Sequence, residues 1–280
     1  MGTLSGKVAM ITGSGGESGF GRAIAQRFAA EGADLVLTDV APTGTKVVSA
    51  KPASGWGGLE AVAAEARAAG GRALTAIVDV RSAVTIEAAV KQALDTFGRL
   101  DVLVSNAAAP PGADRVPVAD LTEAAWDLVQ DVNLKGTFLC ARAAARAMLA
   151  GHRGGRIITM SSNCGRRGYA GMAAYCASKF GVIGLTQSLA LELAPAGITA
   201  NAICPGPAET DRLDFLGRRA DGSYDPAQRA AAIRERAATI PVGRLATTDD
   251  VAALAVFLAG NGSAHITGQA INVSGGAILH

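Results

Sequence analysis

Two hydrophobic rhythms alternate along the chain. Short β-branched apolar runs at 8–12, 34–38, 73–78, 102–105, 156–160, 199–203 and 269–273 predict seven strands. Between them, alanine-rich stretches near 20–31, 58–69, 82–97, 121–149, 172–194 and 248–259 carry apolar residues at the helical period. Strands separated by helices predict an α/β fold with a doubly wound, parallel, seven-stranded sheet and helices on both faces. Right-handed crossovers then place ligands at the carboxyl ends of the strands. The segment 41–58, rich in Ala, Pro, Gly, Ser and Thr, interrupts this rhythm and reads as an inserted loop.

Composition narrows the class further. At 280 residues and 49% hydrophobic, the chain can bury one large core, and with no linker-like break one domain over 1–280 is expected. It holds no run of eighteen apolar residues, so no membrane-spanning helix is expected. Lys plus Arg (26) balances Asp plus Glu (24) without runs of like charge, which argues against a nucleic-acid surface. Lys7 precedes an apolar run, Val8 to Ile11, too short for a signal core; read as a first strand, it implies a cytoplasmic protein. Cys140, Cys164, Cys176 and Cys204 lack CxxC spacing, and with three histidines no metal site is expected.

After the first run comes Thr12-Gly13-Ser14-Gly15-Gly16-Glu17-Ser18-Gly19-Phe20-Gly21, opening straight into a helix. Glycines at such a turn let the backbone approach a pyrophosphate, whose charge is favoured at a helix N-terminus. Asp39 lies 18 residues beyond Gly21, at the end of the second strand, where a carboxylate accepts bonds from the adenosine ribose hydroxyls and repels a 2′-phosphate. Glu17, with no basic residue in the turn, adds to that repulsion, and NAD(H) is expected in preference to NADP(H).

Tyr175 and Lys179 stand four apart in a stretch that reads as helix, so both project from one face. A tyrosine acting as a base near neutrality needs its pKa lowered by about three units, on the order of 4 kcal/mol. A lysine charge about 4 Å away at an effective dielectric of ~20 supplies that much.

These residues, with Asn106-Ala107-Ala108, Asn133 in Val132-Asn133-Leu134, Ser162, Tyr175-Cys176-Ala177-Ser178-Lys179, and Pro205-Gly206 with Thr210, make the chain resemble the classical short-chain dehydrogenases/reductases over nearly its whole length. The resemblance implies a Rossmann fold, a homotetramer, and an NAD(H)-dependent interconversion of a secondary alcohol and a ketone. It implies Tyr175 as acid/base and Lys179 as the group that lowers the tyrosine pKa and binds the nicotinamide ribose. Ser162, thirteen residues before Tyr175, would bond the substrate oxygen, and Asn133 would hold a helix distortion and a relay water. Gly13, Ser14, Ser18, Gly19, Phe20 and Gly21 would surround the pyrophosphate, Asp39 and Val40 the adenosine ribose, and Asp79 and Val80 the adenine. Asn106 and Ala107 would line the cofactor ribose, with Pro205, Gly206, Ala208 and Thr210 reaching the carboxamide. A 3-oxoacyl-type ketone or a polyol is the substrate class implied, and a non-redox or nucleotide-sensing relative is the alternative.

The chain departs from the family pattern in three places. Five residues rather than three separate Gly13 from Gly19; Ala108 stands where glycine is common; and 41–58, containing Trp56, is inserted beyond the adenosine end. The insertion reads as a surface loop or, more sharply, as a cover that slows exchange of bound NAD. Substrate identity should come from a loop region at 207–240, where Arg212, Arg218 and Arg219 are either solvated or clamp an acidic group.

Overall fold

In the computed structural model, residues 2–44, 55–219 and 221–280 are described. Among them, seven strands run in one direction in the order β3-β2-β1-β4-β5-β6-β7: β1 Val8–Thr12, β2 Asp34–Asp39, β3 Ala73–Ile77, β4 Val102–Ser105, β5 Gly155–Met160, β6 Ile198–Pro205 and β7 Ala270–Val273. The period-two geometry of each strand divides its apolar side chains between two cores. Ala9, Ile11, Leu35, Leu37, Val102, Val104, Ile158 and Ile203 face one core. Met10, Val36, Leu103, Ile157 and Ala200 face the other. The first core is closed by α1 (Phe20–Ala30), α2 (Gly58–Ala68) and α8 (Thr248–Ala259). The second is closed by α3 (Ala83–Phe97), α5 (Gly136–Gly151) and α6 (Ala173–Leu193). Pairing of β1 with both β2 and β4 makes the order reverse there, which opens a crevice beyond their carboxyl ends.

Two expectations change. The periodic stretch 121–149 is two helices, α4 (Glu123–Gln130) and α5, joined through a π-helical turn at Asp131–Lys135. Its cause is one side chain held from two other segments: Asn133 is fully buried, its amide Nδ2 donates to Ser178 Oγ at 3.0 Å, and its Oδ1 accepts from the Ala109 amide at 2.8 Å. Holding both partners pulls the residue inward by more than an α-turn allows. The region 207–240, expected as loop, contains a 3₁₀ helix at Asp211–Gly217 and α7 at Pro226–Ala238. α7 buries none of its residues and so shows no apolar stripe. Its only sequence mark is its start, where Asp225 caps the Ala227 amide ahead of Pro226 at the first helical turn.

Of the inserted loop, residues 45–54 lie outside the described residues. Its two ends are described: the Leu59 amide donates to the Pro42 carbonyl at 2.7 Å, and Trp56 Nε1 donates to the Gly15 carbonyl at 2.8 Å. Arg22 lies 4.5 Å over the Trp56 ring and pairs with Glu65.

Phe28 is the largest fully buried side chain and sits in the first core. Phe28→Ala should cost about 3–5 kcal/mol of unfolding free energy in urea, by loss of burial and a residual cavity, whereas Val118→Ser on the exposed 3₁₀ turn should change it by less than about 0.5 kcal/mol.

Candidate active site

The crevice is fixed at its floor by one side chain. Asn106, just after β4, donates through Nδ2 to the carbonyls of Thr12 and Gly13, both at 2.9 Å. Thr12 Oγ1 in return accepts from the amides of Asn106 and Ala107 at 3.0 Å. Gly13 turns there with φ +67°, and a Cβ on Gly21 would lie 2.3 Å from the Gly13 carbonyl oxygen. Both positions therefore require glycine. The cleft above them has a volume of about 410 Å³ and runs from Asp39 and Val40 to Tyr175 and Lys179.

At the first end, Asp39 Oδ2 accepts from the Gly15 amide at 2.9 Å and Oδ1 from the Val40 amide at 2.8 Å. Burial pushes its pKa up, and the two amide bonds oppose that. α1 begins beside it, with Gly19 in the capping position and no side chain bonded to the first-turn amides. Those amides are unsatisfied donors at the positive end of the helix, as a pyrophosphate requires. Gly13, Gly19, Phe20, Asp79, Val80, Asn106 and Ala107 line the cleft. Arg81, which sequence reasoning passed over, lines it too, with its guanidinium held on Asp79.

Several expected contacts are displaced. Ser14 is fully buried; its amide donates to the Thr38 carbonyl and its hydroxyl lies within bonding distance of the Ile11 and Thr38 carbonyls, so it serves the sheet rather than the cleft. Gly21 packs against the turn. Ser18 Oγ accepts from the Asp211 amide at 3.2 Å and fastens the glycine turn to the 3₁₀ helix opposite. Pro205 ends β6, the Gly206 amide donates to Val273, and Ala208 bridges to Ala246; of this stretch only Thr210, Asp211 and Arg212 line the cleft.

At the far end, α6 presents Tyr175 and Lys179 on one face. Lys179 Nζ donates to the Met160 carbonyl at 2.7 Å and lies 5.6 Å from the Tyr175 ring centre. Burial, with Arg212 nearby, pushes its pKa down to about 7. Burial raises that of Tyr175, against the pull of Arg212, of a hydrogen bond to Ser162 and of Arg115. The expected lowering of the tyrosine by its lysine is thus not in place in this geometry: the ammonium is turned to a carbonyl, and loss of solvent dominates for both groups. Ser162 is the serine near enough to Tyr175 to favour its charged form. Its Oγ also accepts from the Cys164 amide at 3.2 Å and lies 3.0 Å from Asn163 Oδ1. Ser161 Oγ is instead occupied by the Lys179 carbonyl at 2.8 Å. Asn133 lies behind α6, reaching the site through Ser178, whose hydroxyl donates to the Tyr175 carbonyl.

Two arginines complete this end. Arg115 lies 4.4 Å over the Tyr175 ring and pairs with buried Asp114 at 3.1 Å. Arg212 donates through one nitrogen to the carbonyls of Ala108 at 3.1 Å and Ala109 at 2.7 Å. Arg218 and Arg219 are exposed, with Arg219 paired to Asp225. Arg115 carries no sequence signal, because it comes from a loop sixty residues away. The four cysteines are free and buried, and burial pushes Cys140 up to about 12 and Cys164 up to about 11. No helix among the described residues is long and apolar enough to cross a membrane.

Comparison with known proteins places this geometry among enzymes. The family model described as enoyl-(acyl carrier protein) reductase matches residues 13–278. The chain is 37% identical over 273 residues to a sorbitol dehydrogenase of Cereibacter sphaeroides and 38% identical over 276 residues to a galactitol 2-dehydrogenase of Agrobacterium fabrum, covering 98% of each chain in both cases. Its fold matches the crystal structure of carveol dehydrogenase from Mycobacterium avium in complex with NAD at a TM-score of 0.87 and 31% identity, over 100% of both chains. A match of this extent, on a fold that buries Lys179 beside Tyr175, means that the chain belongs to the classical short-chain dehydrogenases/reductases.

Proposed function

We propose that the protein is an oxidoreductase that interconverts a secondary alcohol and a ketone and prefers NAD(H) to NADP(H). The observation that carries this reading is the cleft itself, which runs from the Asp39 carboxylate to the side chains of Tyr175 and Lys179, with the Ser162 hydroxyl near enough to favour the charged form of Tyr175. A tyrosine hydroxyl with a serine hydroxyl near it suits a substrate oxygen that is an alcohol in one direction and a carbonyl in the other. Sorbitol, galactitol and carveol, named for three relatives, all carry such an alcohol.

The cleft fits a dinucleotide, with the open amides of α1 for the pyrophosphate and Asp39 for the adenosine ribose. A bound nicotinamide supplies the hydride chemistry. Tyr175, protonated near neutrality through its burial, gives its proton to the carbonyl oxygen in reduction and recovers it in oxidation. Ser162 holds that oxygen, and Lys179 turns from the Met160 carbonyl toward the nicotinamide ribose. Asn133 holds the π turn and, through Ser178, the backbone of Tyr175. Asp39 sets the cofactor preference: a charge on a 2′-phosphate about 4 Å away at a dielectric of ~20 is repelled by on the order of 4 kcal/mol. Arg81 does not offset this, because Asp79 holds its guanidinium.

Trp126, Phe138 and Leu149 leave apolar surface exposed on α4 and α5, which supports assembly into a tetramer. Four unpaired cysteines support a reducing, cytoplasmic compartment.

Tyr175→Phe should abolish turnover of a panel of secondary alcohols and ketones, followed at the nicotinamide absorbance, while NADH affinity stays within about threefold; loss of cofactor binding would make the tyrosine structural. Asp39→Ala should weaken NAD more than NADP, and an unchanged ratio of their dissociation constants would overturn the preference. Lys179 gives a pH-dependent signature. With its folded pKa near 7 and its ordinary value of 10.5, the unfolded chain binds more protons between those values, so stability at this residue rises with pH across that window. Lys179→Met should therefore gain most over the wild type below about pH 7, and the gain should shrink by a few kcal/mol toward pH 10, at ~1.4 kcal/mol per unit of pKa. Urea unfolding at both pH values measures it; a pH-independent difference would mean that Lys179 is not desolvated.

A further inference from the structure

Three basic side chains lie near Tyr175: Lys179, Arg115 and Arg212. Their carboxylate complement is incomplete. Arg115 is paired with Asp114, which is 4% exposed, and this pair forms a fixed platform behind the Tyr175 ring. In the segment that carries Arg212, Arg219 pairs with Asp225, and Arg229 pairs with Asp214 and Glu209. Arg212 forms no ion pair among the described residues, although it is half-buried and lines the cleft beside Tyr175 and Lys179. Among the described residues its hydrogen-bond partners are two backbone carbonyls, both on Nη2. A guanidinium has five donors, so Nη1 and Nε keep N–H groups that can each meet an anion oxygen. Holding a cation there without a counter-ion is costly, and it disfavours charge on Lys179 as well. An arriving anion relieves both. Ala109, Pro110, Leu128 and Val132 give the same cleft apolar lining.

We propose that the substrate of this site is anionic, an apolar body bearing a carboxylate or phosphate that Arg212 binds while the reacting oxygen meets Ser162 and Tyr175. The proposal rests on the dehydrogenase reading above and names its substrate class. The anion Arg212 meets could instead be the pyrophosphate of the dinucleotide, and the experiment separates the two.

Octanoate and octanamide, equal in length and differing in charge, are titrated into NADH-loaded protein by calorimetry. Octanoate should bind about tenfold or more tightly than octanamide, as a charge-assisted hydrogen bond implies. Arg212→Gln should erase that preference while leaving the NADH dissociation constant within about twofold, and Arg212→Lys, which keeps the charge, should retain part of it. Equal binding of acid and amide, or binding of neither, overturns the proposal. So does a rise in the NADH dissociation constant in Arg212→Gln with the acid preference intact, which would assign Arg212 to the pyrophosphate. Failure of the wild type to bind NADH at all overturns the dehydrogenase reading and the anion site with it, whereas NADH binding without acid preference overturns the anion site alone.

Discussion

The amide of Asn106 bridges the ends of β1 and β4, and most of what makes the site possible follows from that bridge. Two neighbouring strands whose helices leave in opposite directions would expose their last carbonyls to the crevice. Asn106 satisfies those of Thr12 and Gly13, while Thr12 satisfies the amides of Asn106 and Ala107. The floor of the cleft is thereby closed without water and without bulk. The cost is borne by the chain passing over it, where only glycine fits at 13 and 21. The glycine turn is thus as much a packing requirement of the asparagine as an adaptation to phosphate.

At the other end of the cleft the organising constraint is desolvation. Lys179 and Tyr175 are both buried in a place that suits neither charge, and each is pushed toward its neutral form. Distance alone would make the lysine an activator of the tyrosine. Burial outweighs that attraction in this geometry, so both groups favour their neutral forms.

Much of this was legible in the sequence because it depends on local periodicity. Strand and helix positions follow from apolar spacing, and Asp39 from its place at a strand end. The Tyr175 and Lys179 pair was recovered because one helix carries both. What escaped depends on long-range contacts or on weak local signals. The π turn at Asp131–Lys135 arises from partners on two other segments, Ala109 and Ser178, so its apolar pattern looks like that of an unbroken helix. α7 escaped because it buries nothing. Ser14 was assigned to the cleft because it lies in the turn, but its buried hydroxyl is spent on strand carbonyls. Arg115 reaches Tyr175 from a separate loop, a contact that no spacing encodes.

The inserted segment enters and leaves over the same spot, between the Pro42 carbonyl and the indole of Trp56 on Gly15. A chain anchored at both ends by such closely placed bonds is a closed loop in the entropic sense. Doubling its length would add only about 0.6 kcal/mol of closure free energy. The number and identity of residues between these anchors can therefore drift over evolutionary time while the sheet beneath is undisturbed, making this the place where related proteins can diverge most cheaply at the rim of an otherwise constrained cleft.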